Sequence, residues 1–469
     1  MALVTTFATT PLVQALYPPW YQKKLEAWKR GEIDWDGNRL GPDANSPEPG
    51  DHLPEKNAGI EIRKLLVYLR LDSLPSLFTF VALLGGDQAG QSVRKIHPRK
   101  ASQGTDEGAG EGKSPSSPPH KRPLEVHGLR IRDLTERQSS VMKESEMDEF
   151  SIVDPVVNAF HTFGQLHNVA VSGEVQIAPE GSYADIVTAT ASNQSSDMVL
   201  LPWSESGALV EAGNPFLDTA QSFFTSASHV HFIANFLAKV PCNAAVFVNN
   251  GFGAVPRSDR KPLHRTITSL SLRSTAGQAT APIMDRSHHI FLPYFGGPDD
   301  RVALRFVLRL AQNSSVTATI LAITGGESAH DLHPIPAGQS NTELAGSISH
   351  SAEQAFLATI RDSLPPELEP RVLFDTLDSA QPLADAISRA RAEVGLTPKN
   401  AGDVVVVGRS HPGRPGLKAG LISTAPTSPG NPSAVAKQCL GDVGESMIVA
   451  ELKASVLVIQ AAKRDSESL

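Results

Sequence analysis

Short apolar runs of period two alternate along this chain with segments whose apolar residues recur every three to four positions, the signatures of strand and amphipathic helix. A strand is predicted at Ile62 to Leu69, then a helix from Ser73 or Leu74 to about Leu84, and a short strand at Leu124 to Leu129. Asp154-Pro155 opens a helix reaching Leu166, with Asp as N-cap and Pro at the first helical position. Ala170 to Ile177 alternates as a strand, Ser182 to Ala191 is helical, and Asp197 to Leu201 reads as a buried strand. A helix over about Ala220 to Ala238 and a strand at Asn243 to Val248 complete this run.

The same order then restarts. Strand His289 to Pro293 precedes helix Pro298 to Ala311, strand Val316 to Ile323, helix Ser351 to Ser363 and strand Arg371 to Phe374. Helix Pro382 to Val394, strand Asp403 to Val407, helix Gly441 to Leu452 and strand Ser455 to Ile459 follow. Each half thus has five strands and four helices, a duplication by pattern in which Asp197-Met-Val-Leu-Leu corresponds to Asp403-Val-Val-Val-Val. Strands alternating with helices at this spacing predict βαβ units and parallel sheets.

Between these elements lie stretches poor in apolar residues. Residues 38–57 and 253–286 read as linkers, and 325–341 and 409–432 as inserts rich in Gly, Ser or Pro. Residues 85–122 (ending in QGTDEGAGEGKSPSSPPHKR) cannot bury enough surface to offset chain entropy and are predicted to be disordered. The resulting division is 1–37, a first domain over 58–252, a second over 287–462, and a tail at 463–469.

The start has a different character. Met1 to Leu16 carries no charge, and Tyr17-Pro18-Pro19-Trp20-Tyr21 then leads into a Lys/Arg-rich segment ending at Arg30. Aromatic residues at headgroup level with basic residues beyond them mark the cytoplasmic end of a membrane helix. The run falls short of the ~20 residues of a full span, so it reads as the end of one; a buried N-terminal helix is the other reading. A signal peptide would carry its basic residues before the apolar run.

Composition narrows the classes. Hydrophobic residues at 40% and charged residues at 20% suit globular protein, while 36 Gly and 35 Pro fit long inserts. A formal net charge of −8 leaves no electrostatic footprint for nucleic acid. Cys242 and Cys439 are the only cysteines, which excludes a disulfide framework and a Cys-based zinc site.

Several segments together resemble one family. Residues 4–37, 124–142 (LEVHGLRIRDLTERQSSVM), 197–207 (DMVLLPWSESG), 241–253 (PCNAAVFVNNGFG), 289–303, 403–409 (DVVVVGR) and 440–458 look like the cytoplasmic C-terminal region of fungal potassium/proton antiporters of the cation:proton antiporter-2 family, related to the plant cation/proton exchangers. The resemblance implies two tandem domains similar to universal stress proteins. It implies an ion-translocating membrane bundle upstream of Met1, potassium as the cation and a homodimer, and leaves the regulatory effector unspecified. A stand-alone tandem stress-type binding protein is the alternative.

Stress-type domains that bind ATP resemble one another in a G-x2-G-x9-G-[ST] loop, whose glycines let backbone amides reach phosphates. Here Gly408 ends a strand, and Gly413 and Gly416 have the x2 spacing. The third glycine fails at that distance, and its counterpart is Gly441, followed by Asp442 where a hydroxyl is needed. A carboxylate there repels an anion, so the loop reads as degenerate, with no cofactor expected. Gly251-Phe252-Gly253 reads as a strand exit. His288 and His289 fall on opposite strand faces and are not expected to share a metal. No GxSxG elbow or other nucleophile constellation is present, Cys242 reads as core, and neither a catalytic nor a metal site is expected.

Overall fold

A computed structural model describes residues 62–85, 97, 99, 124–133, 154–167, 169–204, 209, 227–253, 286–325, 341–396, 402–411 and 432–462. These all fall in one unit, Ile60–Leu469. The membrane-exit segment, both linkers' interiors, most of 85–122 and the tail lie outside the described residues. Among those described, no helix is long and apolar enough to cross a membrane.

The first half contributes β1 (Lys64–Tyr68), α1 (Leu74–Gly85), β2 (Glu125–Asp133), α2 (Pro155–Leu166), β3 (Ala170–Ala178), α3 (Tyr183–Asn193), β4 (Met198–Pro202), α4 (Ala227–Lys239) and β5 (Asn243–Val248). The second contributes β6 (His288–Tyr294), α5 (Pro298–Leu310), β7 (Val316–Gly325), α6 (Asn341–Asp362), β8 (Val372–Ser379), α7 (Pro382–Glu393), β9 (Val404–Gly408), α8 (Pro432–Val449) and β10 (Ser455–Gln460). The predicted α/β class with its repeated element order is what the chain adopts. Asp154 caps α2 as its sequence position requires, accepting the Val156 and Val157 amides at 2.9 and 3.2 Å.

Tandem sheets were the expectation; the strands instead form one ten-stranded sheet in the order β3-β2-β1-β4-β5-β10-β9-β6-β7-β8. Each half has the same internal order, and the halves meet where β5 pairs with β10, the one antiparallel pair among the described residues in an otherwise parallel sheet. Val246 opposes Val458 and Phe247 opposes Leu457 across this seam. The reason lies in composition: β5 and β10 are apolar on both faces and carry no charge, so neither can remain a solvated edge. The outer edges are the more polar β3 and β8.

Alternate residues of the central strands face two cores. Leu66, Val199, Val246, Val405 and Val458 pack beneath α3, α4, α7 and α8; Leu65, Leu200, Phe247, Val404 and Leu457 pack beneath α1, α2, α5 and α6. Both cores run through the β5/β10 seam. The pattern duplication reaches individual bonds: Asp197 accepts the Arg63 and Lys64 amides at the start of β1, and Asp403 accepts the His289 amide in β6.

Several boundaries differ from expectation. Strands β2 and β8 continue past Leu129 and Phe374 through alternating charged residues, which an edge or half-exposed strand tolerates on its solvent face. Helix α6 begins at Asn341 rather than Ser351, because no proline interrupts the intervening stretch. The predicted helix at Gly441 is preceded by a helical segment from Pro432, the two meeting at Gly441 with φ 71° and ψ 174°. The stretch 85–122 is also not wholly without place: its His97 and Arg99 are seated on the second half, where buried polar partners offset the entropy that composition alone weighed.

Candidate functional site

In a doubly wound sheet, ligands bind beyond the carboxyl ends of the strands, where the order of connection reverses. This chain has two such points, between β1 and β4 and between β6 and β9.

At the second point the chain leaves β6 through Phe295, Gly296 and Gly297, both glycines having positive φ (97° and 107°). The turn places Pro298 first in α5, with Asp299 and Asp300 in its first turn and both buried. The Asp300 carboxylate accepts the amides of Phe295 (2.7 Å), Gly296 (2.9 Å) and Gly408 (3.0 Å), with His411 Nε2 at 3.2 Å. Asp299 accepts the Ser410 amide at 2.9 Å and the Ala461 amide at 2.8 Å. Burial raises the proton affinity of Asp299 above the ordinary value despite these bonds. Amides at the exits of β6, β9 and β10, which could have faced a phosphate, are thus bound to two carboxylates of the chain itself.

Three of the predicted loop residues, Gly408, Gly441 and Asp442, are among those described. Gly408 closes β9, and a Cβ there would stand 2.3 Å from Asp300 Oδ1. A Cβ on Gly441 would stand 2.0 Å from the Arg409 carbonyl oxygen. The Arg409 guanidinium donates to the carbonyls of Gln438 (2.7 Å) and Cys439 (3.1 Å) and to Gln460 Oε1 (2.5 Å), capping the first segment of α8. Asp442 pairs with Lys437 at 2.8 Å. Gly413 and Gly416 lie outside the described residues.

The first point is filled differently. Arg70, fully buried beyond β1, pairs with Asp72 and donates to the Leu209 carbonyl (2.7 Å) and Ser204 Oγ (3.1 Å). The Ser204 amide donates to His229 Nε2 at 3.1 Å. Burial first, and then the Arg70 charge, drives His229 from 6.5 down to about 3, so the ring is neutral. Trp203 packs edge-on against it at 5.3 Å.

Other sequence expectations resolve simply. Phe252, between its two positive-φ glycines, is a core residue packed on Phe80. His288 Nδ1 bonds the Gly402 carbonyl oxygen at 2.7 Å, whereas His289 faces Thr317 and Thr319 on the other side. Cys439 is buried and Cys242 half-buried; burial pushes their thiols up to about 12 and about 11, far from nucleophilic thiolate. Sequence reasoning missed Arg70, His229, Asp299 and Asp300. The Gly-Gly-Pro-Asp-Asp run was the one signal available, since paired acids at a helix start after two glycines announce an occupied N-terminus.

A family model described as the plant cation/H+ antiporter domain matches residues 126–252. Cation/H+ antiporter 18 of Arabidopsis thaliana is 22% identical over 98% of this chain and 46% of its own length. Cation/H+ antiporter 17 of the same plant is 23% identical over 68% of this chain and 31% of its own. The chain is therefore similar to cation/H+ antiporters and spans less than half the length of these relatives. Among solved structures, a universal stress protein from Archaeoglobus fulgidus aligns with a TM-score of 0.37 at 12% identity, covering 86% of this chain and 97% of that one. A functionally unknown protein from Pseudomonas aeruginosa aligns at 0.33, with 12% identity and 85% and 92% coverage. The α/β class rests on the sheet itself.

Proposed function

We propose that this chain is the cytosolic regulatory region of a monovalent cation/proton antiporter, potassium being the cation, whose ion-translocating bundle belongs to preceding sequence. The observation that carries this reading is the alignment with cation/H+ antiporter 18, which takes in 98% of this chain but 46% of the relative. The plugged second switch point supports a non-enzymatic role, because the backbone amides there that would stabilise a bound anion already hold carboxylates. A regulatory region acts only if it interacts differently with the two transport states.

The test is growth of a potassium-exchange-deficient cell under salt stress. The longest reading frame containing this chain is expected to restore growth, and removal of residues 60–469 to change the dependence on external pH or potassium. Restoration by the chain alone, or none by the longer frame, would overturn the assignment. The alternative, a free-standing tandem stress-type binding protein, predicts recovery of the native protein in the soluble fraction without detergent.

A further inference from the structure

Composition predicts disorder between α1 and β2, yet His97 and Arg99 of that segment are docked on the second half. The His97 amide donates to the Pro370 carbonyl at 2.9 Å, just ahead of β8, and the ring is 1% exposed. Its Nε2 lies 2.9 Å from Thr319 Oγ1 on β7, and the same hydroxyl is 3.4 Å from His289 Nε2 on β6. The two imidazoles stand edge to face, 5.3 Å between centroids. Glu393, the last residue of α7, brings Oε2 to 3.6 Å from His289 Nε2.

We propose that His97, His289 and Glu393 bind a divalent transition-metal ion of the zinc class and thereby clip the α1–β2 segment onto the second half. One donor atom of each lies within 4.8 Å of the others. Two imidazoles and a carboxylate form a donor set suited to zinc, leaving a fourth position open. Glu393 supplies the independent sign. Its side chain is 8% exposed, and Oε2 is buried 3.6 Å from His289 Nε2, just beyond direct hydrogen-bond distance, with the carboxylate also facing Thr319. Its other oxygen is held by Arg99 (3.0 Å) and Arg389 (3.1 Å). Asp375 accepts from the same two guanidiniums at 3.0 and 2.8 Å, so two arginines are matched by two carboxylates around the site. Thr317 Oγ1, 3.0 Å from His289 Nδ1, is the outer partner that orients that ring and directs Nε2 inward. A cleft of about 410 Å³ is lined by Asp375 and Arg389, the latter paired with Glu393.

Two contacts must yield, the first being the 2.9 Å bond between His97 Nε2 and Thr319 Oγ1. The Arg99 amide donates to His97 Nδ1 at 3.2 Å, a bond that favours the proton on Nε2. Coordination through Nε2 places the ring proton on Nδ1, which breaks the bond from the Arg99 amide, and the segment at His97 draws inward to a shell of ~2.0–2.1 Å. Protons compete with the metal for both imidazoles, so binding weakens as pH falls.

The test is titration of metal-free full-length protein with Co²⁺, followed by displacement with Zn²⁺. The expected result is one equivalent of Co²⁺ with the visible absorption of a four- or five-coordinate ion, lost on adding Zn²⁺. Affinity should fall at least ~10-fold in His97→Ala, His289→Ala and Glu393→Gln. His97→Ala is the decisive variant because His97 lies outside the sheet, and circular dichroism checks its fold. Zn²⁺ should also slow proteolysis within 86–123 in the wild type and not in His97→Ala. Failure to bind Co²⁺, or binding of undiminished affinity in folded His97→Ala, would overturn the proposal.

Discussion

Asp300, buried at the start of α5, accepts the backbone N–H of Gly408 at the end of β9, 3.0 Å away and 108 residues on. The bond ties together the two strands flanking the second switch point, and two further amides converge on the same carboxylate. Replacing Asp300 by Ala would leave three backbone donors without their acceptor, each costing about 1–3 kcal/mol when buried. We expect Asp300→Ala to lower stability by at least ~3 kcal/mol, read as a lower urea midpoint. Asp300→Asn, which keeps one acceptor oxygen, should fall in between.

Because both cores cross the β5/β10 seam, the two halves should unfold together. Fluorescence of Trp203, in the first half, and a reporter placed in the second half should give superimposable denaturation curves. Phe247→Ala, at the seam with its ring fully buried, should destabilise both halves by about 3–5 kcal/mol. Two separated transitions would show that the seam does not couple the halves.

His229 sets a pH dependence. Its folded value is about 3 against an ordinary 6.5, so between these the unfolded chain binds the extra proton. Its contribution is fully present above 6.5 and is lost as pH falls from there toward 3, with a slope of at most ~1.4 kcal/mol per pH unit. A folded His229→Gln variant should show a flatter acid limb in unfolding free energy than the wild type.

Both thiols should resist alkylation in the folded protein, since burial holds them at about 11 and about 12. Iodoacetamide labelling at neutral pH should track global unfolding at Cys439 and run somewhat faster at half-buried Cys242. Rapid labelling of Cys439 under native conditions would show local opening of α8 beneath Arg409.

Much was legible in the chain because its signals are local. The Asp-Pro start of α2, the period-two runs of the strands and the equivalence of Asp197 with Asp403 depend on neighbours in sequence, and each appears where the pattern puts it. The broken glycine spacing was equally local. What fills that crevice was not legible, because Asp299 and Asp300 reach Gly408, Ser410 and Ala461 from more than a hundred residues away.

By itself, then, the sequence determined the alternation of strand and helix and its repetition, since backbone propensity and apolar periodicity act over a few residues. Only the tertiary structure decided that the two repeats share one sheet, that both switch points are filled by Arg70 and Asp300, and that His97 meets His289 and Glu393. Each of these depends on which surfaces remain to be buried once the local elements exist. That competition is settled between segments far apart in the chain, by packing and by the need of buried polar groups for partners.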